Sequence, residues 1–208
     1  MSLIPLTGLC IYNLIENQVR KTNTIKLTSN YLSSLHIVII LFSLMIFEKK
    51  SLVLNNLMIM NTTGYFFNDI LFILKHKKLK TLNLIYLYHH TIVGLYMIYK
   101  PKNSNTISLL LWAEISNIPT NIIYHLLHIE NKPKNFLLVK NILEYIQLFV
   151  YGIIRVFYMP YLTYYEFYLE KNDIANILNY LAPPILLMGY IYSFILFKGK
   201  YINDNKNE

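Results

Sequence analysis

Residues 52–74 read LVLNNLMIMNTTGYFFNDILFIL, an apolar stretch in which Asp69 is the one charged side chain. A helix rises about 1.5 Å per residue, so a stretch of this length covers the ~30 Å hydrocarbon core of a bilayer. Lys75, Lys77, Lys78 and Lys80 close it. Outward from it, comparable windows recur at 31–47, 82–99, 105–128, 136–158 and 174–197, separated by charged or turn-forming residues such as Glu48 to Lys50, Lys100 to Lys102 and Glu130 to Lys134. The pattern predicts an all-α fold, a polytopic membrane helical bundle of about six transmembrane helices around a polar interior. Residues 31–200 form the transmembrane domain, and 201–208 a polar cytoplasmic tail. Residues 1–30 read as an N-terminal interfacial or re-entrant segment, because Pro5 and Gly8 interrupt an apolar start too short to span comfortably, with a cleaved leader and a seventh span as the alternatives. That start lacks the basic beginning and small-residue cleavage site of a secretory leader.

Composition points the same way. With 55% hydrophobic and 14% charged residues the chain is too apolar for a soluble domain. Cys10 is its one cysteine, which excludes an internal disulfide and a thiolate pair for zinc. The net charge of +8 comes from lysines flanking apolar windows, a pattern explained by cytoplasmic loops and anionic head groups rather than by nucleic acid. Counted by alternating sides, thirteen Lys and Arg fall with the N-terminal segment, the loop at 75–80, the connection at 132–140 and the tail, against five in the opposite loops. This bias places both termini in the cytoplasm.

Asp69, His89, His90, Glu114 and Arg155 lie inside the windows. An ionisable group at bilayer depth costs several kcal/mol, about 2.5–3.5 for Asp or Arg at a helix centre, unless it meets a partner or water. On an ideal helix Asn55, Thr62, Tyr65 and Asp69 share one face. So do Glu114, Asn117, Asn121, Tyr124, His125 and His128, and so do Asn141, Glu144, Tyr151 and Arg155. Lipid cannot satisfy such stripes, so they should turn inward. Asp69 lies six residues before Lys75 and His89 nine after Lys80, which brings them to similar depth. The expected groupings are Asp69 with His89 and His90, and Glu114 with Arg155.

Four motifs stand in order: Gly64-Tyr65-Phe66-Phe67-Asn68-Asp69-Ile70, Tyr88-His89-His90-Thr91, Glu114-Ile115-Ser116-Asn117-Ile118-Pro119-Thr120-Asn121, and Arg155-Val156-Phe157-Tyr158-Met159-Pro160. In this order and spacing, from about residue 30 onward, the chain resembles the TLC-domain proteins, the membrane family that includes the ceramide synthases. The resemblance implies a compact helical bundle whose interior accommodates a lipid chain. Ceramide synthases carry a further His-Asp element and another Asp after the His pair, where this chain has Leu111-Trp112-Ala113-Glu114-Ile115-Ser116. The fingerprint is therefore closer to the non-ceramide-synthase branch.

Two functional classes follow. In the first, the chain transfers an acyl group from acyl-CoA, as co-substrate, to a lipid amine. His89 or His90 would act as general base or transient acyl carrier, with Asp69 holding the imidazole tautomer. Glu114, Asn117, Asn121, Glu144 and Arg155 would form the lipid-binding or structural polar interior, and no metal or cofactor is required. In the second class the same interior binds or senses lipid without catalysis. A metal-dependent oxidase is disfavoured, since six histidines are too few for repeated boxes and His125 with His128 reads as an interfacial pair. The expected partners are membrane lipids, with a homo-oligomer left open, and the expected location is the endoplasmic reticulum or a related endomembrane. Asn61-Thr62-Thr63 matches a glycosylation sequon inside a window and is expected to stay unmodified.

Overall fold

The computed structural model describes residues 3–46, 51–77, 81–99, 104–129, 132–169 and 183–204, and every described element is helical. They are α1 (Ile4–Val19), α2 (Ile25–Ile46), α3 (Leu52–His76), α4 (Thr81–Tyr99), α5 (Ser104–His128), α6 (Phe136–Tyr151), a π-helical turn (Gly152–Tyr158), α7 (Met159–Leu169) and α8 (Pro183–Asp204). Leu27–Ile46, Leu52–His76 and the continuous Phe136–Tyr164 are each long and apolar enough to cross a membrane. The last expected window is helical from Pro183; residues 174–182 of it lie outside the described residues. Two compact units divide the chain: residues 1–108 with 172–178, and residues 109–171 with 179–208.

In the first unit α3 is the hub, packed against α1, α2 and α4. Ser51 starts it, its hydroxyl accepting from the Val53 N–H at 3.2 Å and so satisfying one of the orphan donors of the first turn. Lys75 lies in its last turn, where a cation complements the helix dipole. Its buried face mixes Leu54, Met58, Tyr65, Phe66, Phe72 and Ile73 with Asn61, Thr62, Thr63, Asn68 and Asp69. Without water, those polar groups have to be matched helix to helix.

The segment expected to lie at the interface forms α1, and α1 packs on α3. Pro5 fits its first turn, where no N–H partner is needed, and is a start signal rather than a break. Gly8 crosses Gly64 backbone to backbone: a Cβ on either would overlap its neighbour's main chain. Further along, Tyr12 meets Asn61, Glu16 meets Asn68 and Arg20 meets His76. From Tyr12 to Arg20 the partners on α3 advance from Asn61 to His76, so α1 runs parallel to α3.

The second unit holds α5 from Leu109, the α6–π–α7 rod and α8. The π turn has a cause in sequence. Pro160 has no N–H to return to the Val156 carbonyl four residues back, and the Tyr190 hydroxyl of α8 donates to that carbonyl instead at 2.9 Å. The Met159 N–H reaches five residues back to Ile154. Gly189 brings α8 against the Arg155 side chain, with a built Cβ 3.5 Å from the Arg155 Cβ.

Candidate functional site

The titratable pair expected from the sequence meets in the first unit. His90 Nδ1, on α4, lies 3.0 Å from Asp69 Oδ2, on α3, and both residues are buried, at 7% exposure each. The Ser29 hydroxyl of α2 approaches Asp69 Oδ1 at 3.5 Å, the long limit of a hydrogen bond. Three helices thus hold one carboxylate. The carboxylate lies against the Nδ1 side of the imidazole, and Nε2 is the other ring nitrogen. Phe66 covers the imidazole with ring centroids 4.9 Å apart, and Tyr65 and Tyr86 approach at 6.1 and 6.2 Å. His89 is half-buried beside it, 5.4 Å centroid to centroid, and meets the edge of Phe66.

Two further polar layers on α3 flank this pair. In one, Asn61 uses its whole amide: Tyr12 donates to its Oδ1, and its Nδ2 donates to His36 Nδ1 at 3.0 Å and to the His36 carbonyl at 3.1 Å. His36 is fully buried and stacks on Tyr65 at 4.4 Å. The sequon asparagine is therefore buried and committed. In the other layer Asn68 donates to Glu16 Oε2 at 2.9 Å, Arg20 lies 3.7 Å from the second carboxylate oxygen, and Arg20 Nη1 donates to His76 Nε2 at 2.7 Å.

Sequence reasoning missed this α1 layer. Its signal was present: Tyr12, Glu16 and Arg20 recur every four residues, and Asn61 and Asn68 are seven apart, so each set lies on one helix face. Scoring the segment by apolar length alone hid it.

The other expected residues lie in the second unit. Arg155, on the π turn, donates from Nε to Ser116 Oγ at 2.9 Å and from Nη2 to the Ala113 carbonyl at 2.9 Å and Asn117 Oδ1 at 3.3 Å. Asn117 in turn donates to Glu114 Oε2 at 3.3 Å, so it bridges the expected Arg155 and Glu114 pair. The guanidinium also lies over the Tyr151 ring at 5.2 Å. Asn121 is half-buried on α5. Glu144 joins Lys140 one turn back at 2.7 Å, an ion pair along its own helix. Gln147 takes the inward position on α6 and donates to Thr120 Oγ1 at 2.8 Å.

The family model for the TLC domain matches residues 7–198 of this chain. The chain belongs to the TLC-domain family. The match starts inside α1. Neither a curated protein nor a solved structure matches the chain. Family membership and the long apolar helices make it an integral membrane protein.

Proposed function

We propose that this TLC domain is a lipid-modifying enzyme of the branch apart from the ceramide synthases, transferring an acyl group from acyl-CoA to a lipid amine. The observation that carries the reading is the buried contact of 3.0 Å between His90 Nδ1 and Asp69 Oδ2. In the step, His90 Nε2 takes the proton of the attacking nitrogen as its lone pair adds to the thioester carbonyl. Collapse of the adduct forms the amide, expels the thiolate and returns the proton to it. Asp69 holds the ring and stabilises the imidazolium in between. The pair lies about 10 Å from the basic end of α3, counted from Asp69 to Lys75 at helical rise, a depth that suits a co-substrate with a charged head and an apolar tail. The domain would lie in the endoplasmic reticulum or a related endomembrane, its basic end facing the cytoplasm.

Enclosure of His90 by Phe66, Tyr65 and Tyr86 favours a second reading, a lipid-binding or lipid-sensing protein without catalysis. Lipid analysis of membranes expressing variants separates the two. General-base catalysis contributes about 10²–10⁴-fold, so His90→Ala should remove at least about a hundredfold of product formation. Asp69→Asn should follow it, and His89→Ala should cost less. A product level unchanged in His90→Ala rejects catalysis and leaves the binding reading.

A further inference from the structure

We propose that the turn joining α1 to α2 is a binding site for an anionic phospholipid, one acyl chain entering the groove between the two helices and the phosphate resting on the basic end of the unit. Two separate observations meet there. The first is an open groove with a volume of about 350 Å³, flanked by Ile15 and Val19 of α1 and Leu32 and Leu35 of α2, with Thr22 and Asn23 at its turn end. Ligand sites run from about 300 to 1,000 Å³, so this one takes a length of a single chain and leaves the rest of the lipid outside.

The second is charge. Because α1 and α3 are parallel, their C-terminal ends lie together, and Arg20 and Lys21 from one join Lys75 and Lys77 from the other, the two sets linked through the 2.7 Å hydrogen bond of Arg20 to His76. The carboxylate in their midst, Glu16, is 4% exposed and already held by Asn68 and Arg20. Lys21 and Lys75 are exposed, so the end of the unit carries a surplus of positive charge toward water. Helix carbonyl ends favour cations there, and an anionic surface completes them. A free phosphate meets the charge alone and leaves the apolar groove empty, whereas a phospholipid satisfies both. Polar Thr22 and Asn23 lie at the level of the charges, and Ile15 and Leu35 lie deeper, which is the order of head and tail.

The site shares no residue with the His90 and Asp69 pair and requires no catalysis. The test is native mass spectrometry of the full-length protein in detergent, offered equimolar dioleoyl phosphatidylglycerol and dioleoyl phosphatidylcholine. The anionic lipid should be retained in preference. Removing one cation near a membrane surface is worth about fivefold, and reversing its charge more, so Lys21→Glu should lower the preference at least fivefold. Leu35→Trp, which fills the groove, should lower retention of both lipids, and His90→Ala should keep the preference intact. Lys21 is exposed, so its variant reads the site even where the groove variant folds poorly, which circular dichroism reports. Equal retention of the two lipids by the wild type overturns the proposal. So does full displacement by millimolar inorganic phosphate, an undiminished preference in Lys21→Glu, or its loss in His90→Ala.

Discussion

A buried carboxylate within a membrane helix pair survives only if its neighbours answer it, and Glu16 shows how much depends on one amide. Asn68 donates to it at 2.9 Å with its own side chain fully buried. Hydrogen bonds to charged groups contribute about 1.5–3 kcal/mol, and a buried acceptor left unmet costs its desolvation. Asn68→Ala should therefore lower stability by about 1.5–3 kcal/mol, read from the thermal midpoint of the purified protein in detergent. Asn17→Ala, on the exposed side of α1, should stay within about 0.5 kcal/mol. If the two variants melt together, the Glu16 contact contributes nothing to the fold. At this scale the sequence was informative where a charge interrupts an apolar run: Asp69, His90 and Arg155 announced themselves by their cost. Glu16, His36 and Asn68 did not, because Glu16 lies beyond the apolar start of its segment and histidine and asparagine are common on ordinary helix faces.

Glycine has opposite consequences at two positions in these helices. At Gly64 the absence of a Cβ lets α3 touch α1 at Gly8, while at Gly152, at the head of the π turn, a built Cβ meets nothing within 4 Å. Gly64→Ala should force the helices apart and cost about 1–3 kcal/mol by overpacking, with α1 becoming more accessible to protease. Gly152→Ala should be neutral or stabilise by about 0.4–1 kcal/mol, since its main effect is to restrict the unfolded chain. Equal melting shifts in the two would show that the Gly8 and Gly64 crossing does not fix α1. Apolar windows located α2, α3 and α6 because length and hydropathy decide those elements. They could not show α1, which is held by polar side chains, nor the π turn, whose cause is a missing N–H at Pro160 answered by Tyr190 from another helix.

Across the molecule, the alternation of charged and apolar segments was enough to read an all-helical membrane protein, and the order of four motifs enough to suggest its family. Membrane sidedness depended on where the N-terminal segment was placed. The Lys and Arg count grouped Arg20 and Lys21 with the loop after α3, and the contact of Arg20 with His76 puts these groups at one end of the first unit. The same count left the N-terminus on that side by treating residues 1–30 as interfacial. Parallel packing of α1 on an α3 that spans the bilayer predicts the opposite side for Ile4. Sixteen residues of helix carry the chain about 24 Å from Arg20 toward the opposite face before Ile4 is reached. With Cys10 replaced by serine, Thr22→Cys should react with a membrane-impermeant maleimide applied from the cytoplasmic side, and Leu3→Cys should not. Equal labelling from that side would mean that α1 lies along the surface in the membrane, and that the row of contacts from Gly8 to Arg20 does not set its direction.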